Sequence, residues 1–449
     1  LFLGPSGCGK STLLQILSGL IPNAVPVPMK ADQVKTPESS GVVFQDPDSQ
    51  FCMPYVDEEM AFVLENRAVP QPDMERFIHH YLNKVGLRFV DPHIEISSLS
   101  QGMKQRLAIA SMLALEPDVI FLDEPTALLD PEGTTEVWNT IKQINAKQTM
   151  IIVEHKIDEV IHFVDRIVLF DSEGKILADA DPKSVFSFYK PKLKEYGIWY
   201  PGVWDEHREE KNLPAPYIKG KQLMTIHQLQ GYRGKTPKIE VSAATAHEGE
   251  WIVVTGKNGA GKSSFLLSLM NVMKTTGTKS VRGQLKTIKA SREQLAFVFQ
   301  NPEFQFVTNS VYDELAYSLE MMDDRNVADK VKNWLEAYDL NHVQNLHPYQ
   351  LSTGQKRRLS VGTAMFGAQP VLLLDEPTFG QDASNTFKLL ALFEQLRSKG
   401  MLIMMVTHDE MIVHNYATRE WVIQEGKLIE DRELERSEEG ERHAVDFTI

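Results

Sequence analysis

"LFLGPSGCGKSTLLQ" (residues 1–15) and "TGKNGAGKSSFLL" (residues 255–267) place glycines at the same spacing ahead of a Lys-Ser pair. Each reads as a strand end, a glycine-rich turn and the opening of a helix. Glycines there let backbone N–H groups curl around an anion, and the helix N-terminus adds a favourable dipole. Gly4, Pro5, Ser6, Gly7, Cys8, Gly9, Lys10, Ser11 and Thr12 therefore form one candidate phosphate loop of the Walker A kind. Gly256, Lys257, Asn258, Gly259, Ala260, Gly261, Lys262, Ser263 and Ser264 form the second. Lys10 and Lys262 are placed to reach β- and γ-phosphates, and the hydroxyls of Ser11 and Ser263 suit Mg²⁺. ATP and Mg²⁺ are the expected cofactors.

The two loops belong to a longer repetition. At an offset of 252 residues Lys10 meets Lys262, Ser100 meets Ser352, Asp123 meets Asp375 and Glu124 meets Glu376. His155 and His408 agree within one residue, Gln45 and Gln300 within three. A constant offset over this length means two copies of one domain.

The totals fit that reading. A chain of 449 residues holds two or three full cores. The net charge of −14 argues against a general nucleic-acid binder. Two cysteines, Cys8 and Cys52, make neither a disulfide framework nor a metal–thiolate site, and a reducing cytosolic compartment is expected. No apolar run approaches the roughly 18–20 residues of a membrane span. Leu1 stands where a start methionine would, so the native start is expected upstream, with the opening strand of the first domain lost.

Short apolar runs such as "VVF", "VIFL" and "VLLL" read as buried parallel strands. Phe77, Ile78, Tyr81, Leu82 and Val85 share one face of a helix in the first copy; Val327, Val331, Trp334, Leu335 and Tyr338 do so in the second. These helical stretches lie between the landmark Gln and Ser of each copy, as an inserted subdomain would. The predicted boundaries are 1–187 for the first domain, 188–222 for a Pro-, aromatic- and charge-rich connector, and 223–449 for the second domain. The charged tail from Asp431 is expected to fray.

"VIFLDEPT" and "VLLLDEPT" are apolar strands ending in two carboxylates. Asp123 and Asp375 are expected to help hold Mg²⁺; Glu124 and Glu376 are expected to orient and deprotonate an attacking water.

"LSQGMKQRLAIASML" and "LSTGQKRRLSVGTAM" resemble the signature motif of ATP-binding cassette (ABC) ATPases. The resemblance covers nearly the whole chain. It implies an α/β fold of two P-loop NTPase domains in tandem, each with a mostly parallel sheet and an inserted helical subdomain. It further implies Q-loops at Gln45 and Gln300 that reach nucleotide and metal, D-loops near Asp130 and Asp382, and switch histidines His155 and His408. In that family the signature of one domain completes the site of the other. Residues 4–12 would then pair with Ser352 and Gly354, and residues 256–264 with Ser100 and Gly102. The usual Leu-Ser-Gly-Gly-Gln reads Leu-Ser-Gln-Gly-Met at 99–103 and Leu-Ser-Thr-Gly-Gln at 351–355, so Gln101 and Met103 make the site completed by the first signature the weaker match. Tyr232 stands where the family places an aromatic on adenine.

After each Q-loop, "DPDSQF" and "NPEFQF" resemble the pattern of energy-coupling-factor ATPases, which drive uptake of vitamins and metals. That likeness implies separate partners: a transmembrane coupling protein and a substrate-capture membrane subunit, with the chain at the cytoplasmic face. Phe51, Phe304 and Phe306 are candidates either for docking or for burial. "VEHKIDEV" in a fused double cassette is similar to ATPases assigned to hydroxymethylpyrimidine or thiamine uptake. The alternative is a tandem-cassette factor acting on ribosomes. Such factors carry a long basic linker, whereas "WDEHREEKN" here is of mixed charge.

Overall fold

The computed structural model describes residues 1–434 apart from 128, 145–147, 211–216, 218, 284–286, 321–325 and 366–368. It divides into two units, one built on Leu1–Val203 with Asp382–Ser384, the other beginning at Trp204.

The first unit is built on six strands: β1 (Phe2–Leu3), β2 (Ser40–Val43), β3 (Val119–Asp123), β4 (Thr149–Val153), β5 (Ile167–Phe170) and β6 (Ile176–Ala180). Their order is β2-β3-β4-β1-β5-β6. Every pairing is parallel except β5 with β6. β3 is "VIFLD", buried from Ile120 to Asp123 because helices cover both faces of a parallel sheet.

Among the described residues the second unit has nine strands: β7 (Gln222–Arg233), β8 (Thr236–His247), β9 (Trp251–Thr255), β10 (Lys274–Val281), β11 (Leu295–Val298), β12 (Val371–Asp375), β13 (Leu402–Val406), β14 (Arg419–Gln424) and β15 (Lys427–Glu433). The run β11-β12-β13-β9-β14-β15 repeats the strand order of the first unit. The duplication is thus one of topology as well as of motif. Beyond β15 come β8, β7 and β10; β8 joins β15 in parallel, and the β8–β7 and β7–β10 pairings are antiparallel.

The predicted inserted helices are present in each unit, Val56–Asn66 with Gln71–Lys84 and Val311–Glu320 with Val327–Ala337. Ile78, Tyr81 and Leu82 are buried on one, Val331 and Leu335 on the other, as the helical spacing predicts.

One expectation changes. The tail from Asp431 does not begin to fray there: Asp431, Arg432 and Glu433 pair with β14. Arg419 donates to both carboxylate oxygens of Asp431 at 2.6 and 2.7 Å, and Arg432 binds Glu420. Cross-strand ion pairs of this kind let a charged sequence form a strand. Residues 435–449 lie outside the described residues. Within the stretch read as a connector, Lys190–Glu195 and Val203–Glu210 are helical; residues 211–216 and 218 lie outside the described residues. The second helix packs on the second unit, where Trp204 meets the Phe387 ring edge-on and His207 stacks on it at 3.9 Å.

Candidate functional site

Both phosphate loops leave the carboxyl ends of central strands, where doubly wound sheets place their ligands. The first feeds the helix Lys10–Leu17 and the second Lys262–Leu269; no side chain caps either N-terminus. Gly9 and Gly261 sit there in the left-handed region. The uncapped N–H groups are the donors an anion needs. Lys10 Nζ donates to the carbonyls of Gly4 (2.8 Å) and Pro5 (2.9 Å), and Lys262 Nζ to those of Gly256 (2.7 Å) and Lys257 (3.1 Å). Each ammonium is therefore folded back over its own loop. At Gly256 a Cβ would stand 2.0 Å from the Ile423 carbonyl, so only glycine fits.

Ser11 Oγ donates to Asp123 Oδ1 at 2.7 Å, and Ser263 Oγ to Asp375 Oδ1 at 3.1 Å. A hydroxyl beside a carboxylate, next to a phosphate loop, is a hard-oxygen donor set that fits Mg²⁺. Burial raises the pKa of both aspartates, opposed by these serine hydrogen bonds.

Glu124 and Glu376 follow at once, with φ of 46° and 48°. A non-glycine residue in this region is strained, and such strain gathers at functional turns. Their N–H groups are held by the carbonyls of Val153 (2.9 Å) and Val406 (3.0 Å) on the neighbouring strands. In the first unit Gln45 Nε2 donates to Glu124 Oε2 at 3.1 Å, while His155 Nε2 lies 3.0 Å from Oε1. Burial favours the neutral carboxyl, but the His155 contact and Lys10 outweigh it, and the pKa of Glu124 is lowered. Burial likewise works against charged His155, and Glu124 outweighs it, raising the imidazole pKa. In the second unit His408 Nε2 lies 3.5 Å from Glu376 Oε1. Gln300 differs from Gln45 in being gripped through its main chain: its carbonyl accepts from Arg357 at 2.7 Å.

The signature serines are helix caps. Ser100 Oγ accepts from Met103 N, and Ser352 Oγ from Gln355 N, each at 3.3 Å. Gln355 closes a capping box by accepting from Ser352 N at 2.9 Å, a bond Met103 cannot make. Gly102 opens its signature helix beside Ser100; Gly354 lies under Asn385, where a Cβ would approach the carboxamide to 2.4 Å. Asp130 caps its helix through Gly133 N at 2.7 Å, and Asp382 precedes Ala383–Ser398. Tyr232, on β7, is half-buried, and its hydroxyl donates to Gln230 at 2.6 Å.

Sequence reading missed a set of ties behind the Q-loops. In "DPDSQF", Asp46 caps the turn through Asp48 N, and Lys104 of the signature helix pairs with Asp48 at 2.7 Å. Gln50 accepts from Phe44 N and donates to the carbonyl of Ala108 on that helix. "NPEFQF" repeats each contact: Asn301 caps through Glu303 N, Lys356 pairs with Glu303 at 2.6 Å, and Gln305 joins Phe299 N to the Ser360 carbonyl. Glu59 and Glu314 then bind the next two N–H groups, those of residues 52–53 and 307–308. The shared D/N-P-D/E-x-Q spacing was the visible signal. Of the phenylalanines weighed for docking, Phe306 is core, Phe51 is half-buried and Phe304 is 75% exposed.

The family model described as ABC transporter matches residues 1–127 and 240–379. The "Putative HMP/thiamine import ATP-binding protein YkoD" of Bacillus subtilis is 35% identical, over 96% of this chain and 85% of its own. A "Putative ABC transporter ATP-binding protein" of Methanosarcina acetivorans is 30% identical, over 96% and 80%. Among solved structures, the complex of archaeal ribosomal stalk protein aP1 and archaeal ribosome recycling factor aABCE1 contains a chain that aligns with TM-score 0.65 at 20% identity, covering 96% of this chain and 85% of that one. At that identity the likeness shows a tandem-cassette fold. No helix among the described residues is long and apolar enough to cross a membrane.

Proposed function

The chain belongs to the ABC transporter family, whose ATPases hydrolyse ATP to drive transport, and we propose that it is the ATP-hydrolysing subunit of an importer for a small solute. Hydroxymethylpyrimidine or thiamine is the solute we favour, on the name of one relative. Residues 1–187 and 223–449 are assigned to two cassettes joined by 188–222. Each copy holds a phosphate loop, a Ser–carboxylate pair, and a strained glutamate under a histidine. That doubled constellation carries the proposal.

In the proposed mechanism the loop N–H groups and Lys10 or Lys262 hold the triphosphate. Ser11 with Asp123, and Ser263 with Asp375, hold Mg²⁺, with Gln45 and Gln300 beside them. The metal supplies charge neutralisation at the phosphates. Glu124 and Glu376 orient the attacking water and take its proton, while His155 and His408 fix those carboxylates. Ser352 and Gly354 complete the first site, Ser100 and Gly102 the second, and Tyr232 stacks on adenine. The Q-loop ties pass cassette movement from the signature helix to a transmembrane coupling protein, which works with a substrate-capture subunit at the cytoplasmic face of the membrane. A ribosomal role has only the fold in its favour. Purified chain should hydrolyse ATP only with Mg²⁺ present; metal-independent or absent hydrolysis would refute the assignment.

A further inference from the structure

Glu154 follows β4 directly and is 3% exposed, a buried carboxyl one residue before the switch histidine. Oε1 accepts from the N–H groups of His155 (3.0 Å) and Lys156 (3.4 Å), and Oε2 accepts from Thr126 Oγ1 at 3.0 Å. Thr126 lies two residues after Glu124. One side chain therefore bridges the turn that carries His155 to the turn that carries Glu124. The second unit has Thr407 in this place, too short for the same span, and its hydroxyl accepts only locally, from Asp409 N at 3.1 Å. The histidine–glutamate distance is 3.0 Å with the bridge and 3.5 Å without it.

We propose that Glu154 is a positioning residue of the first site, locking the His155 turn to the Walker B turn so that the imidazole stays on Glu124, a device the second site lacks. This rests on the ATPase reading of that site. The groups facing Glu154 are Glu124 from the Walker B turn and His155 from its own; Lys10 acts on those two from the phosphate loop. Burial, with Glu124 adding repulsion, pushes the Glu154 carboxyl up to about 7. Its charge therefore changes near neutral pH. Ionised, it accepts all three hydrogen bonds and favours the charged His155; protonated, it keeps the bridge with less pull on the imidazole.

The test compares E154L, which fills the volume without acceptors, with E154Q, which restores the bridge through one carbonyl and one amide. E154T, the residue the second unit already uses, replaces E154L should the latter fail to fold. The first readout is the imidazole titration of His155 by NMR, with His408 as internal reference. E154L is expected to lower the His155 pKa by about 0.5 unit or more and leave His408 unmoved, with E154Q between E154L and wild type. An unmoved His155, or an equal shift at His408, overturns the proposal. The second readout is turnover in the E376Q background. E154L is expected to cut kcat about 10-fold with KM for ATP within about twofold, and E154Q to recover most of the loss. A rise in KM at constant kcat overturns it, because the residue would then act on nucleotide binding. Absence of ATPase activity in the unmodified chain would strike the functional assignment, while the His155 titration would still decide the bridge.

Discussion

His155 Nε2 stands 3.0 Å from Glu124 Oε1, and His408 Nε2 stands 3.5 Å from Glu376 Oε1. An imidazole held against a carboxylate fixes the orientation of the group proposed as the base. The same pair recurs at the carboxyl ends of β3 and β4 and of β12 and β13, so the chain should carry two working sites. Substituting Gln for Glu124 or for Glu376 keeps the shape and removes the base. Each change should cut turnover at its own site by about 10²–10⁴-fold, read as steady-state ATPase. A large loss from one and none from the other would break the symmetric reading.

The first pair should also be visible in stability against pH. His155 is raised above its ordinary 6.5, so its share is complete below that value and is lost as pH climbs through the folded value. Glu124 is held below 4.5, so its share is present above 4.5 and is lost as pH falls. The pair contributes most between those two values. Unfolding of wild type and H155A, followed by calorimetry, should differ in Tm by about 2–4 °C near pH 6. The gap should close towards pH 9 and pH 3.5. A gap that grows with pH would contradict the pairing.

The capping difference between the signatures gives a reciprocal pair of variants. M103Q should let the first signature helix form the box that Gln355 forms in the second, adding about 0.5–1 kcal/mol of stability. Q355M should remove a similar amount. Chemical denaturation of both variants checks this, and equal effects of the same sign would rule the box out.

The Q-loop ties predict uncoupling. Gln50 and Gln305 join the loop backbone to the signature helix without touching the phosphate loops. Q50A with Q305A should keep ATP hydrolysis within about threefold and lose most solute uptake in reconstituted vesicles, because buried groups released from both ends no longer move together. Parallel loss of hydrolysis and uptake would place these residues in the chemistry.

Much of this was open to reading in one dimension. Phosphate loops and carboxylate-ended strands are local patterns, and an offset of 252 residues exposes the repeat in a single chain. Phe77 to Val85 showed their helix because burial on one face imposes a 3.6-residue period. Other features depend on what lies across the fold. Glu154 looks like an ordinary polar residue after a strand until Thr126, 28 positions earlier, is brought against it. The left-handed backbone of Glu124 and Glu376 has no sequence mark, since glutamate gives no sign of a positive φ. "DPDSQF" was read as a likeness to energy-coupling-factor ATPases, and what one dimension hid is that three of its six residues, Asp46, Asp48 and Gln50, cap the turn or tie it to the signature helix. The strand at Lys427–Glu433 was hidden by its charge, which pays for itself only across the ladder to Arg419 and Glu420.

The most direct test is to purify the full-length chain from detergent-solubilised native membranes and identify what comes with it by mass spectrometry. The account predicts small, very hydrophobic membrane proteins in stoichiometric amount, one coupling subunit and one capture subunit, the latter binding the solute in isolation. Recovery of ribosomal proteins in their place would contradict it.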